Sequence, residues 1–366
     1  MIYQIGLTMI DGVGDILARH LLEALGDAET IFTEKKRLLE KVPGIGGVLS
    51  AQIKRPEVLQ KAEKELDFIV ENQIQTYFLT DENYPHRLKE CADAPVLFYY
   101  KGNGSLSGSR IISIVGTRNA TDYGRELTDK LVDELSVLLP DTLIVSGLAY
   151  GIDISAHRAA LKYGLPTVGV LAHGLDRIYP QTHRSTAVEM LQQGGLLTDF
   201  PSATNPDKQN FVKRNRIVAG LADATVVVQS AEKGGSLITA DMAFSYGRDV
   251  FAFPGRVNDT SSAGCNNLIR KNKAALITHA TDLIEAMSWD IEKTQESPLQ
   301  TQLFFPANST EEKIITLLQQ EEELHINQLA LALELPVSQL SLTLFEMEIN
   351  HLLKTRPGNM YRLYER

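Results

Sequence analysis

A rhythm in the middle of the chain limits its fold more than any other feature. Short runs rich in Ile and Val recur at IISIV (111–115), TLIVS (142–146), TVGVL (167–171), ATVVV (224–228) and DVFAF (249–253). Unbroken apolar runs of that length read as strands covered on both faces. Longer amphipathic stretches lie between them. After Gly124, for example, Leu127, Leu131, Leu135 and Leu138 recur at the three- or four-residue spacing of a helix face. Strands alternating with such helices imply βαβ units and a mainly parallel sheet.

The carboxyl edge of an open parallel sheet is where ligands bind, and three strand exits here are rich in Gly or Ser: VGTRNATDYG (115–124), SGLAYGID (146–153) and EKGGSLITA (232–240). Glycine lets the backbone approach a ligand closely, and a helix start offers unpaired N–H groups to phosphate or carboxylate. Three such turns on one edge predict an anion cradle. Beside them, QNFVKRNRIVAGLAD (209–223) puts Lys213, Arg214 and Arg216 within four residues of a chain whose formal net charge is −10. So acidic a chain does not coat nucleic acid through its overall field. The positive charge is therefore focused, and the apolar run after it places KRNR at a helix start on the same sheet edge. Phe211 is a candidate surface for stacking a base, or a residue packed under its helix.

Chemistry that Gly-rich α/β folds often host lacks its parts here. There is no G-x-x-x-x-G-K-[ST] loop, no G-x-S-x-G elbow and no metal-spaced His/Cys cluster. Asp153 and His157, four apart on a predicted helix, read more readily as a cap and a surface contact than as an acid–base pair. No catalytic residue, metal or cofactor is expected. The alternative reading is a nucleotide-processing hydrolase of the lysine-decarboxylase-like kind, on a similar fold with a GG-containing helix start. Two cysteines, Cys91 and Cys265, cannot form a disulfide framework or a Cys-based zinc site. With no basic leader and no apolar run near the roughly 18 residues that span a bilayer, the expectation is a cytoplasmic protein without membrane contact.

Four parts follow from the pattern. Residues 1–75 are helical and contain IDGVGDILARHLL and VPGIGGVLSAQI, two Gly-centred stretches that look like helix-hairpin-helix units of a SAM-like domain. Hairpin glycines can offer N–H groups to a phosphate strand, but few basic residues flank these, so protein docking is the equal reading. Residues 76–287 hold the sheet, with 76–110 as a short extension of it. Residues 288–309, with Pro298 and Pro306, read as a linker. Residues 310–366 have the order of a winged helix. Residues 311–350 carry eight Glu and one Lys, and Glu346 and Glu348 lie on the candidate recognition helix. Phosphate would be repelled there, so a protein-interaction or oligomer-stabilising role is preferred.

The stretches VGTRNATDYG, SGLAYGIDISAHRAAL, GLDRIYPQTH, QNFVKRNRIVAGL, GGSLITADMAFSYGRDVFAFPG and GCNNLIRKNKA stand in this order. Together they resemble the bacterial DNA-processing protein A family (DprA, also called Smf). The resemblance implies an extended Rossmann-like, doubly wound domain that binds and protects single-stranded DNA and loads a RecA-type recombinase, with a homodimer as the assembly. It carries phosphate contacts onto Gly116, Arg118, Ser146, Gly147 and Gly151, and onto Phe211, Arg214, Asn215 and Arg216; Lys213 joins these as a candidate contact from the basic cluster itself. Gly234, Gly235, Ser236 and Asn266 are added by the later motifs. The chain departs from the family pattern at LLTDF, at His183 and at KNKA.

Overall fold

Residues 1–290, 310–321, 323–349, 352–356 and 358–363 are described by the computed structural model. They fall into two units, 1–292 and 293–366.

The first unit opens with α1 (Ile2–Thr8), α2 (Asp15–Leu25), α3 (Ala28–Thr33), α4 (Lys36–Leu39), α5 (Gly47–Ile53) and α6 (Pro56–Glu71). The hairpins α1–α2 and α4–α5 repeat one pattern, Gly12-x-Gly14-x-x-Leu17 and Gly44-x-Gly46-x-x-Leu49. Gly12 and Gly44 both have positive φ, +84° and +86°. A β-carbon on Gly12 would meet Leu49, and one on Gly44 would meet Leu17. Each hairpin thus receives the other's leucine, and the two pack as a reciprocal pair.

Nine strands form one sheet: β1 (Gln75–Phe78), β2 (Leu97–Gly102), β3 (Ile111–Val115), β4 (Leu143–Ser146), β5 (Thr167–Val170), β6 (Gly194–Thr198), β7 (Ala224–Val227), β8 (Asp249–Ala252) and β9 (Ala275–Leu276). Their spatial order is β1-β2-β6-β5-β4-β3-β7-β8-β9. Strands β3 to β9 pair in parallel, and β1 and β2 add an antiparallel edge. The five apolar runs are β3, β4, β5, β7 and β8. Period-2 alternation splits their side chains between two layers. Ile112, Ile114 and Ile144 join one core with α8 (Asp122–Leu138), α9 (Ile152–Tyr163) and α14 (Ala280–Ala286). Ile111, Val115, Leu143 and Val145 join the opposite core with the N-terminal helices, α11 (Lys208–Leu221), α12 (Gly235–Ser245) and α13 (Ala263–Arg270). Two shorter helices, α7 (His86–Lys89) and α10 (Arg184–Met190), complete the unit. It is a doubly wound α/β sheet in which the N-terminal helices share the sheet's core.

The second unit contains α15 (Thr310–Gln320), β10 (Leu324–His325), α16 (Ile326–Leu333), α17 (Val337–Ile349), β11 (Leu353–Arg356) and β12 (Met360–Leu363), with sheet order β10-β12-β11. Ile314, Leu318, Leu329, Leu340, Leu344, Met347 and Leu353 form its core, and the arrangement is a winged helix. Of the expected linker, residues 291–309 lie outside the described residues. Among the described residues no single helix is long and apolar enough to cross a membrane.

Candidate functional site

The connection order of the sheet reverses at β3: β4, β5 and β6 lie on one side of it and β7, β8 and β9 on the other. Such a switch point leaves a crevice at the carboxyl ends of the strands. A cleft of about 570 Å³ opens there. Gly116 and Arg118 enter it after β3, Gly147 after β4, and Gly234, Gly235 and Ser236 around the start of α12. From α11 come Phe211, Arg214 and Asn215. Nine residues expected from the sequence are thereby brought together from four chain segments.

The expected helix start needs correction. Helix α11 begins at Lys208, with Asp207 at its N-cap, so Lys213 to Arg216 lie in the middle of its 14 residues. The apolar run IVAGL marks only its second half; the first half is polar because it borders the cleft. At mid-helix, consecutive residues point to different sides, and the basic cluster divides accordingly.

Arg214 forms the floor of the cleft. It is 3% exposed, and its Nη1 donates to the carbonyls of Gly147, at 2.5 Å, and of Val170. Burial lowers its pKa to about 10, Asp153 opposes that, and the nearby Arg118 adds to it. Asp153 is also buried and accepts the Gly147 N–H at 3.2 Å. Burial raises its carboxyl above the ordinary range, and Arg214 pulls it back. The Phe211 ring lies between cations, 5.0 Å from the Arg118 guanidinium and 5.9 Å from that of Arg214. Tyr179 meets the same ring edge-on at 6.1 Å. Among the described residues no ion pair engages Arg118 or Lys208. Two guanidiniums around one ring, opposed by the buried carboxylate of Asp153 and in part by Asp199, which is itself held by Arg216, make a cleft that favours an anion.

Other expected residues are held elsewhere. Arg216 is withdrawn from the cleft: its Nη2 lies 2.8 Å from Asp15 Oδ2 and 2.7 Å from Asp199 Oδ2. Lys213 is half-exposed on that same side, 3.4 Å from Asp199 and 5.1 Å from the Phe200 ring centroid. Ser146 is fully buried and donates to the Ile114 carbonyl at 2.6 Å, so its hydroxyl is committed to the sheet. Gly151 caps α9 with φ +79°, and a β-carbon there would fall 2.1 Å from the Thr117 carbonyl oxygen. Its glycine serves the close approach of two loops, one of which carries Arg118. Asn266 brackets Gly255 with two 3.1 Å hydrogen bonds, ordering a neighbouring loop.

Asp153 and His157 are buried rather than a surface cap. Thr167 Oγ1 donates to the Ile144 carbonyl, so the 2.7 Å contact requires His157 Nδ1 to be the donor to Thr167. Burial, with Arg214 and His183 nearby, lowers the His157 pKa to about 3. At the departures from the family pattern, His183 Nδ1 is 2.9 Å from the Leu148 carbonyl and Thr198 Oγ1 is 2.9 Å from the His173 carbonyl. Lys271 caps the end of α13.

Sequence reasoning passed over Lys208, Tyr150 and Tyr179. Lys208 lines the same cleft, and the two tyrosines line a smaller recess that shares Arg118, Gly147 and Phe211 with it. A helical-face reading centred on Phe211 would have found Lys208, because positions 208, 211 and 215 lie on one side, the side opposite Lys213 and Arg216.

Comparison with known proteins identifies the family. The family model for DNA recombination-mediator protein A matches residues 75–288, and a DprA winged helix model matches residues 298–359. A DNA processing protein DprA of Bacillus subtilis is 41% identical over 59% of this chain and 72% of its own length. A Protein Smf of Synechocystis is 33% identical over 78% and 72%. Among solved structures, DNA processing protein A of Streptococcus pneumoniae matches with TM-score 0.65 and 30% identity, covering 78% of this chain and 97% of that one. The Helicobacter pylori protein, described as binding single-stranded DNA, matches with TM-score 0.53 and 31% identity over 59% of this chain and 96% of its own. With the mediator model covering well over half its length, the chain belongs to the DprA/Smf family of DNA-processing recombination mediators.

Proposed function

We propose that the cleft at the β3–β7 switch point binds single-stranded DNA through its phosphates, without sequence preference and without chemistry on the DNA. The observation that carries this reading is the pair Arg118 and Arg214 around Phe211 beside three strand-end turns. Phosphate contacts position a strand and carry no sequence information, and an aromatic ring next to them accepts any base. The complete burial of His157 away from the cleft surface supports binding over hydrolysis. Arg118, Lys208 and Asn215 serve as the direct contacts, with the backbone of Gly116, Gly147, Gly234 and Gly235; Lys213, on the far side of α11, and the Ser236 hydroxyl, which donates to Ser230, are not among them. We further propose that the bound strand is handed to a RecA-type recombinase and that the protein works as a homodimer.

Fluorescence anisotropy with an oligo-dT, a blunt duplex and a mononucleotide tests the binding reading. Tight binding of the oligo-dT, weaker binding of duplex and no turnover of the mononucleotide are expected. Equal or tighter duplex binding would sink it, and nucleotide turnover would favour the hydrolase. Recombinase filament assembly on DNA coated with single-strand-binding protein, with and without this protein, tests loading. Light scattering tests the dimer.

A further inference from the structure

The side of α11 facing away from the cleft is tied to the N-terminal helices by buried charge. Asp15, the first residue of α2, accepts the Val96 N–H at 3.1 Å through Oδ1 and meets Arg216 Nη2 through Oδ2. Arg216 also holds Asp199, at the end of β6, and donates from Nη1 to the Asp93 carbonyl. One turn along α2, Arg19 donates to the carbonyls of Lys89 at 2.9 Å and Cys91 at 3.1 Å. Helix α2 therefore grips the segment 89–96 and the middle of α11 together. A buried guanidinium keeps its place only while its carboxylates compensate it. The rotation of α11 about its own axis decides whether Lys208, Phe211 and Asn215 face the cleft, and two buried arginines hold that rotation, Arg214 from the cleft side and Arg216 from behind.

We propose that Asp15 is a positioning residue for DNA binding, through which the N-terminal helical domain sets the affinity of a cleft it does not line. The inference rests on the single-stranded DNA reading above. The first hairpin is committed to this protein contact, since α2 carries its own carboxylate at its start. Without the Asp15 charge, Arg216 retains Asp199, and α11 gains alternative rotations in the free protein. DNA then selects the competent one, so the bound state keeps every phosphate contact and the cost appears as a lower fraction of competent protein.

The test measures oligo-dT affinity against salt for wild type, Asp15→Asn and Asp15→Glu, with melting curves for each. Asp15→Asn is expected to bind about tenfold more weakly, the scale of ordinary coupling between sites, at an unchanged salt slope. Asp15→Glu, which keeps the charge, is expected to retain most of the affinity. A fold weakened in general would lower the melting temperature and leave the affinity of the folded protein alone. The proposal is overturned by wild-type affinity in a folded Asp15→Asn, and equally by a slope reduced by about 0.7, which would signal a lost phosphate contact. Should Asp15→Asn not fold, Arg19→Gln loosens the same grip without touching the ion pair. Weaker binding at constant slope then supports the proposal, and unchanged binding overturns it. A wild-type protein that does not bind oligo-dT removes the DNA reading itself, an outcome distinct from all of these.

Discussion

The sheet-edge cleft and the winged helix both belong to fold types that hold nucleic acid, yet their surfaces are opposites. The cleft gathers Arg118 and Arg214 around an aromatic ring, with Lys208 in the same lining. The third helix of the winged domain, α17, instead exposes Leu342 and Phe345, 63% and 60% accessible, beside an exposed Glu346. Its other acid, Glu348, accepts hydrogen bonds from the Thr355 backbone and hydroxyl at 3.1 and 2.8 Å. Fold type thus sets where a ligand can sit, while the residues at that place decide what it is.

The largest effect is expected where the cleft's charge is also its structure. Arg214→Ala frees the buried carbonyls of Gly147 and Val170 and removes the cation that opposes the burial of Asp153. Each buried polar group left unsatisfied costs about 1–3 kcal/mol. Thermal unfolding should show a much less stable protein, and a stability near wild type would mean that Arg214 is not the cleft's floor. This variant cannot report on phosphate contacts.

Next in size is a pH effect at His157, buried behind the same floor. Its folded-state pKa of about 3 lies below the ordinary 6.5. Between those values the unfolded chain binds the extra proton, so stability rises with pH through that window and is lost as pH falls below about 6.5. By pH 5 the loss attributable to this group is about 2 kcal/mol. Asp153, raised by burial, contributes with the opposite sign in the acid range. Comparing denaturation midpoints at pH 7 and pH 5 for wild type and His157→Gln isolates the histidine. The variant should lose stability at pH 7 and much of the acid sensitivity, and an unchanged sensitivity would mean that His157 is not its source.

Arg118→Ala sharpens the comparison from the other side, because Arg118 is exposed and free of ion pairs among the described residues. Oligo-dT affinity should fall about tenfold and the salt slope by about 0.7, one single-strand phosphate contact. Folding should hold within about 0.5 kcal/mol. A folded variant with wild-type affinity and slope would remove Arg118 from the interface.

How far the sequence reveals these regions depends on the range of the interactions. Local patterns showed the five central strands, since burial on both faces leaves Ile and Val runs with nothing to alternate against. They missed β6, whose GGLLT has two glycines where a strand signal needs branched residues. The cleft was legible through its glycine turns, each confined to one segment. The division of KRNR was not, because it is decided by Asp15 and Asp199, and Asp15 lies 201 residues from Arg216. No local reading distinguishes an arginine that meets phosphate from one that meets a distant carboxylate.

The smallest effect is expected at the winged helix, and it bears most directly on the contrast drawn above. Deleting residues 293–366 removes the acidic stretch and the exposed α17 face together. If that domain contributes no phosphate contact, oligo-dT affinity at 0.15 M salt should change by less than about threefold, since salt at that strength screens exposed charges that make no contact. Any residual change should be toward tighter binding, since eight glutamates within residues 311–350 repel phosphate. Glu346→Lys in the full chain asks the same question without truncation: it should leave duplex affinity where it was, whereas a helix seated in a major groove would gain a cation at the DNA and bind duplex more tightly. The oligomeric state of the truncated protein must be measured alongside, because a lost dimer would lower apparent affinity by removing a second cleft. A large loss of single-strand binding at unchanged oligomeric state would show that the winged helix holds DNA after all, and that its exposed Leu342 and Phe345 serve bases rather than a protein.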